Sequence, residues 1–329
     1  MHEATQSQGW PALRLANDEL SVTVVPERGA KITSILDRRT GREWLWRDPR
    51  RPMLRLVGPS PDFARSDLSG FDECFPTVGA CRYPGSGRMA GTPLADHGEV
   101  WFRPWSEELV PNGLVNRIEL PHLACRLTRT LLLGPGSRLR VRYLLENLAE
   151  DTLVHGWSAH PLFAVLPGTR IVMPTGLPYR IEFGLGPRIH AGANQGSVPS
   201  HPEVGSWPTL VGVGGREWDL SDPSECGVVT DKVLVDTPSS GWVALADPEA
   251  GPWLRMEVDA THIPFIGVCT NLGAWPPVNP QTWIALEPTF AVTDRVDSAH
   301  ARGAAAHVPA GSHARWEVEL QTGSGILPE

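Results

Sequence analysis

Hydrophobic and polar residues alternate with a period of two over much of the chain. In LSVTVV, Leu20, Val22 and Val24 share one face. RLRVRY sets Leu139, Val141 and Tyr143 against Arg138, Arg140 and Arg142, and LRMEVD sets Leu254, Met256 and Val258 against Arg255, Glu257 and Asp259. RWEVELQ repeats the pattern with Trp316, Val318 and Leu320. Such alternation predicts strands with one wet face. PERGA, RRTG, LGPGS, ADPEAGP and HVPAGSH punctuate these runs as turns. Helical periodicity is nearly absent: only DSAHARGAAAH, 297–307, predicts a short helix, with Gly303 inside it. Strands spread over the whole length predict an all-β fold, a large antiparallel β-sandwich or barrel in one domain spanning 1–329. The Gly-, Pro- and Ser-rich stretch 185–225 reads as an excursion between strands.

Composition narrows the partners. The chain has 329 residues, 33 of them glycine and 32 proline, as short strands and many turns require. A net charge of −8 and the lack of any basic run argue against nucleic acid and against an anionic membrane surface. The five cysteines, Cys74, Cys81, Cys125, Cys226 and Cys269, are scattered without a CxxC pair, so neither a zinc knuckle nor a disulfide framework is expected. MHEATQSQGWPALRL lacks a signal peptide's basic and apolar regions, and no apolar run approaches the ~20 residues of a membrane span. A cytoplasmic protein, monomer or homodimer, is expected.

Four stretches concentrate polar groups among aromatic or apolar ones: GFDECFPTVGA (70–80), LADHGEVWFRPW (94–105), HGWSAHPLFAV (155–165) and PFIGVCTNLGAWPPVNPQTWIALEPTF (264–290). His97 precedes a glycine, a setting in which histidine often only fixes a turn. His160 stands alone inside an apolar strand end, where a buried imidazole requires a partner. Glu287 intrudes into the apolar run WIALEPTF, where a charge is costly unless paired or used, which makes it a candidate general base. His97, Glu99, His155 and His160 form the competing metal-ligand set. No GxSxG elbow, P-loop or dinucleotide GxGxxG is present. A carboxylate pair for glycoside hydrolysis, drawn from Asp72, Glu73 and Glu287, stays open.

Taken in order, these stretches resemble the aldose 1-epimerase (galactose mutarotase-like) superfamily over nearly the whole chain. NDELSVTVVPERGAKITSILDRRTGREWLW is similar to its opening strands and turns, DHGEVWFRPW to the segment of its first active-site histidine, and SAHPLF to that of its second. PFIGVCTN followed by WIALEPT resembles the strand pair that ends in its catalytic glutamate. The resemblance implies a large β-sandwich with a sugar site in a concave face and no redox cofactor or metal. It implies Glu287 as general base and His160 as general acid, across one cavity and about a pyranose width apart, with His97 holding the sugar. Asp231, in VVTDKVLVD, stands where the family carries a sugar-binding aspartate, with Asp236 and Asp259 as alternatives. Arg103, Asp72, Trp275 and Asn271 complete the substrate-binding candidates. Asp72 and Glu73 suit a neutral monosaccharide's hydroxyls, whereas Arg82, Arg88 and Arg103 suit an anion. The readings to be separated are an anomer-interconverting enzyme on a neutral aldose, a hexose-6-phosphate mutarotase, and a sugar-binding protein without turnover.

Overall fold

The computed structural model describes residues 2–50, 61–189, 204–225 and 227–328. Cys226 and the stretch 190–203 of the expected excursion lie outside them. Two antiparallel sheets dominate, one of 14 strands and one of eight, with two further two-stranded ribbons. The four sequence runs are all strands: Leu20–Val25 in the large sheet, and Arg138–Asn147, Pro252–Val258 and His313–Ser324 side by side in the smaller one. Wet faces on the last three explain their alternation. Arg140 lies opposite Glu319 and Arg142 opposite Glu317, and the guanidinium groups pair across strands at 2.9 and 2.6 Å.

Two expectations change. Leu20–Val25 has no wet face, since all six residues are buried. Within 185–225, Val204–Ser206, Thr209–Val211 and Glu217–Asp219 are short strands that extend the large sheet at its edge. The one α-helix among the described residues is Val296–Ala301, ending before Gly303. No helix of the described residues is long and apolar enough to cross a membrane.

The main core lies between the sheets. Val22, Ile32, Val268, Ile284 and Leu286 of the large sheet meet Leu127, Val141, Leu145, Val318 and Leu320 of the small one in one apolar cluster. A buried ion pair crosses this core. Glu73 Oε1 accepts from Arg129 Nη1 at 3.1 Å and from the Tyr143 hydroxyl at 2.8 Å, and Oε2 accepts from the Trp157 indole at 3.1 Å. Arg129 also donates to the Ala30 carbonyl, which ties the sheets together. Glu73 is therefore a structural group, turned away from any site and placed beyond use in glycoside hydrolysis.

Two tests follow from this pair. Arg129→Ala leaves a buried carboxylate without its counter-charge and should cost ~3–5 kcal/mol in urea unfolding. Burial pushes the Glu73 carboxyl up to about 7 against the pull of Arg129. Between its ordinary value of 4.5 and about 7, the folded state then binds more protons than the unfolded one. Stability at this residue should therefore fall as pH rises through that window. Glu73→Gln should flatten the difference between urea midpoints measured at pH 5 and pH 8.

Candidate active site

The central strands of the large sheet are covered on both faces, and their residues divide between core and cavity by simple alternation. In Ser158–Phe163, Ala159 and Phe163 join the inter-sheet core while His160 faces the other way. In Thr282–Thr289, Ile284 and Leu286 go to the core and Trp283 and Glu287 to the cavity. The pairings of Ser158 with Thr289 and of Leu162 with Ala285 set position 160 opposite position 287. His160 Nε2 consequently stands 3.9 Å from Glu287 Oε1. The strand runs straight through Pro288, which lies opposite Ile266.

These two groups line a cavity of about 440 Å³, together with Asp96, His97, Lys232, Asp294, Trp275 and Trp283. His97 enters from a turn. Its own φ is 60° and that of Gly98 is 67°. A Cβ at Gly98 would stand 2.0 Å from the Phe75 carbonyl oxygen, so only glycine allows the backbones to approach this closely. Phe63 stacks on the His97 ring at a centroid distance of 3.6 Å, and His97 meets His160 edge-on at 4.9 Å.

The electrostatics are asymmetric. Glu287 Oε2 accepts a hydrogen bond from Lys232 Nζ at 2.8 Å, while Oε1, although buried, accepts none among the described residues. Lys232 also donates to Asp294 Oδ1 at 2.6 Å. Burial opposes the lysine's charge, but Asp294 and Glu287 outweigh it and hold the ammonium well above the usual lysine range. Burial, reinforced by His97 and Lys232, drives His160 well below its ordinary 6.5, so this imidazole is neutral at physiological pH. Burial and the neighbouring Asp294 push Glu182 up to about 7. Burial would lift the Asp96 carboxyl, but His97, 3.0 Å away, outweighs it and lowers it. The cavity thus offers a free carboxylate oxygen facing a neutral imidazole.

Of the residues read from sequence, Glu287, His160, His97 and Trp275 line one cavity, and the others do not. The separation of His160 and Glu287 is closer than a ring width. Asp231 falls on the opposite face of its strand, where Arg188 grips it through both oxygens at 2.8 and 2.9 Å. Its neighbour Lys232 takes the cavity position instead. Asp72 shares a face with His160 but is buried against Lys31 at 2.9 Å, without reaching the cavity. Arg103 is turned outward and paired with Glu99 at 2.6 Å. Asn271 is buried, with its side chain bonded to both the carbonyl and the amide of Trp275, so it shapes the turn that presents that ring.

Lys232, Asp294, Glu182, Asp96 and Phe63 escaped the sequence reading. Lys232 follows directly on Asp231 in an otherwise apolar run, so that strand offered two charged candidates where Glu287's offered one. Glu182 resembled an ordinary wet-face residue.

The metal set His97, Glu99, His155 and His160 is not assembled: Glu99 bonds His122 and Arg103, and His155 packs against Phe75 and Phe290. Cys74, His97 and His160 offer donor atoms within 4.8 Å of one another. Burial pushes the Cys74 thiol well above its usual value.

No protein-family model matches the chain, and no curated protein matches it. Solved structures do. A galactose mutarotase related enzyme from Lactobacillus acidophilus superposes with a TM-score of 0.66 at 14% identity, covering 95% of this chain and 98% of its own. A galactose mutarotase-like protein from Clostridium acetobutylicum gives 0.68 at 11%, covering 98% of each chain. Another, from Lactobacillus casei, gives 0.62 at 16%, covering 95% of this chain and 100% of its own. The chain has the galactose mutarotase-like β-sandwich fold.

Gly98→Ala tests the turn that presents His97. It should lower stability by at least ~1–3 kcal/mol, the cost of strain at a special φ, and should shift the His97 imidazole resonances while leaving those of His262, which pairs with Asp259 at 2.7 Å, in place.

Proposed function

We propose that this protein is an aldose 1-epimerase that interconverts the anomers of an unphosphorylated monosaccharide. The observation that carries this reading is the approach of Glu287 Oε1, to which none of the described residues donates a hydrogen bond, to the imidazole of His160 at 3.9 Å inside one cavity. The anomeric hydroxyl and the ring oxygen are bonded to the same carbon, so an acid and a base that serve both must stand close together.

In the forward step Glu287 Oε1 takes the proton of the anomeric hydroxyl while the His160 N–H is directed at the ring oxygen. The bond between the anomeric carbon and the ring oxygen breaks, a carbonyl forms, and the ring oxygen takes the proton of the His160 N–H. Proton exchange between Glu287 and His160 across their gap restores both groups. Rotation of the aldehyde and closure by the reverse steps give the other anomer. A neutral imidazole acting as hydrogen donor to an oxygen that gains charge has a known parallel in enzyme catalysis. His97, braced by Phe63 and Asp96, stands ready to hold a sugar hydroxyl. Trp275 and Trp283 give apolar surface for the sugar's C–H face.

The charge of the cavity supports a neutral sugar. Asp96, Glu182, Glu287 and Asp294 line it, against the cations Lys232 and Arg295. Lys232 is held by two carboxylates and Arg295 by Asp297 at 2.7 Å. The arginines that suited an anion are engaged elsewhere: Arg82 by the Gly91 carbonyl, Arg88 by that of His122, Arg103 by Glu99.

Anomer exchange measured by NMR or polarimetry over neutral hexoses, pentoses and hexose 6-phosphates tests the reading. Wild type should accelerate at least one neutral aldose and prefer it to its 6-phosphate, and Glu287→Gln should lower kcat by ~10²–10⁴-fold. Saturable sugar binding without acceleration of any aldose would instead establish a binding protein.

A further inference from the structure

Lys232 has no place in the acid–base scheme above, yet it is buried in the same cavity. The strand Phe265–Leu272 runs between those of Lys232 and Glu287, so the lysine has to cross it. It does so over Gly267, which lies opposite Glu287 in the pairing register. A Cβ at Gly267 would stand 3.1 Å from Glu287 Cβ and 3.2 Å from Lys232 Cε. The bare backbone leaves the lysine room to reach Glu287 Oε2 at 2.8 Å, and Asp294 holds the same ammonium at 2.6 Å from the far side.

We infer that Lys232 is a positioning residue for the general base: anchored by Asp294, its ammonium pins Oε2 of Glu287 and sets a positive charge against that carboxylate, so that Oε1 alone is presented to the sugar. The inference rests on the epimerase reading for the role of Glu287, but the contact itself does not. The other groups around Glu287 do not duplicate the role. Ser158 Oγ reaches Oε2 only at 3.5 Å. His160 is neutral, Cys74 and Cys269 are thiols raised well above their usual value by burial, and His97 is neighboured by the carboxylate of Asp96. Lys31 is occupied by Asp67 and Asp72. Asp294, whose amide donates to Glu182 Oε1, is acidic and offers no positive charge to replace the lysine's.

The test follows the Glu287 carboxyl directly, by ¹³C NMR of glutamate-labelled protein, with the signal assigned by its loss in Glu287→Gln. Lys232→Met should raise the pH at which this carboxyl titrates by one unit or more, and should lower kcat at its pH plateau by ten-fold or more. Lys232→Arg should restore much of both. Asp294→Asn, a near-isosteric change that frees the lysine without removing it, should lower kcat to an intermediate value and covers the case in which Lys232→Met does not fold. An unmoved Glu287 titration in folded Lys232→Met, or an equal or higher kcat plateau, would overturn the inference. If the titration moves while wild type accelerates no sugar, the clamp stands and the epimerase reading fails.

Discussion

A charge on a strand that is covered on both faces survives only beside its opposite. That constraint governs the middle of this molecule. Both faces of the large sheet's centre are closed, one by the second sheet and one by the segments around the cavity. Glu73 meets Arg129, Asp231 meets Arg188, Lys31 meets Asp67 and Asp72, and Glu287 meets Lys232. Taking any such ion out of water costs several kcal/mol, which only close and well-directed partners offset. The pairs therefore fix which residues stay fully bonded and which retain a free atom. Glu287 Oε1 keeps its lone pairs because its sister oxygen, not both, is claimed.

The same constraint separates scaffold from site. Asp72 and Glu73 are consecutive, yet alternation sends Glu73 between the sheets, where it is bonded on both oxygens, and Asp72 beneath the cavity face into a lysine's grasp. Asp231 and Lys232 divide in the same way. In each case the two neighbours are both buried and both paired, and the direction of the side chain decides which of them lies on the cavity's face of the sheet.

Much of this was legible in the sequence. The period-two runs located strands correctly because three of them face water on one side, and cross-strand pairing between the Arg140–Arg142 and Glu317–Glu319 rows sustains the alternation. His160 and Glu287 stood out because each is a lone polar group in an apolar run. What alternation could not supply was the sense of each face once both faces are buried. Asp231 and Lys232 are equally charged and equally enclosed, so nothing local tells which looks into the cavity. Arg103 and Asp72 misled for a related reason: Arg103 is taken by Glu99, four residues before it, and Asp72 by Lys31 from another strand, and a one-dimensional pattern does not show which charges are already satisfied. Asn271 was found through its neighbourhood, but its bonds go to the Trp275 backbone.

Gly267 makes three positions into one inherited unit. Because the lysine's path crosses the intervening strand at a residue without a side chain, a mutation there is felt two strands apart at once. A side chain at 267 would crowd Glu287 and Lys232 together, so the lysine keeps its open path only while 267 stays bare. An engineer recombining segments of this sheet with those of a similar fold would have to move Lys232, Gly267 and Glu287 together, although they lie on three separate strands.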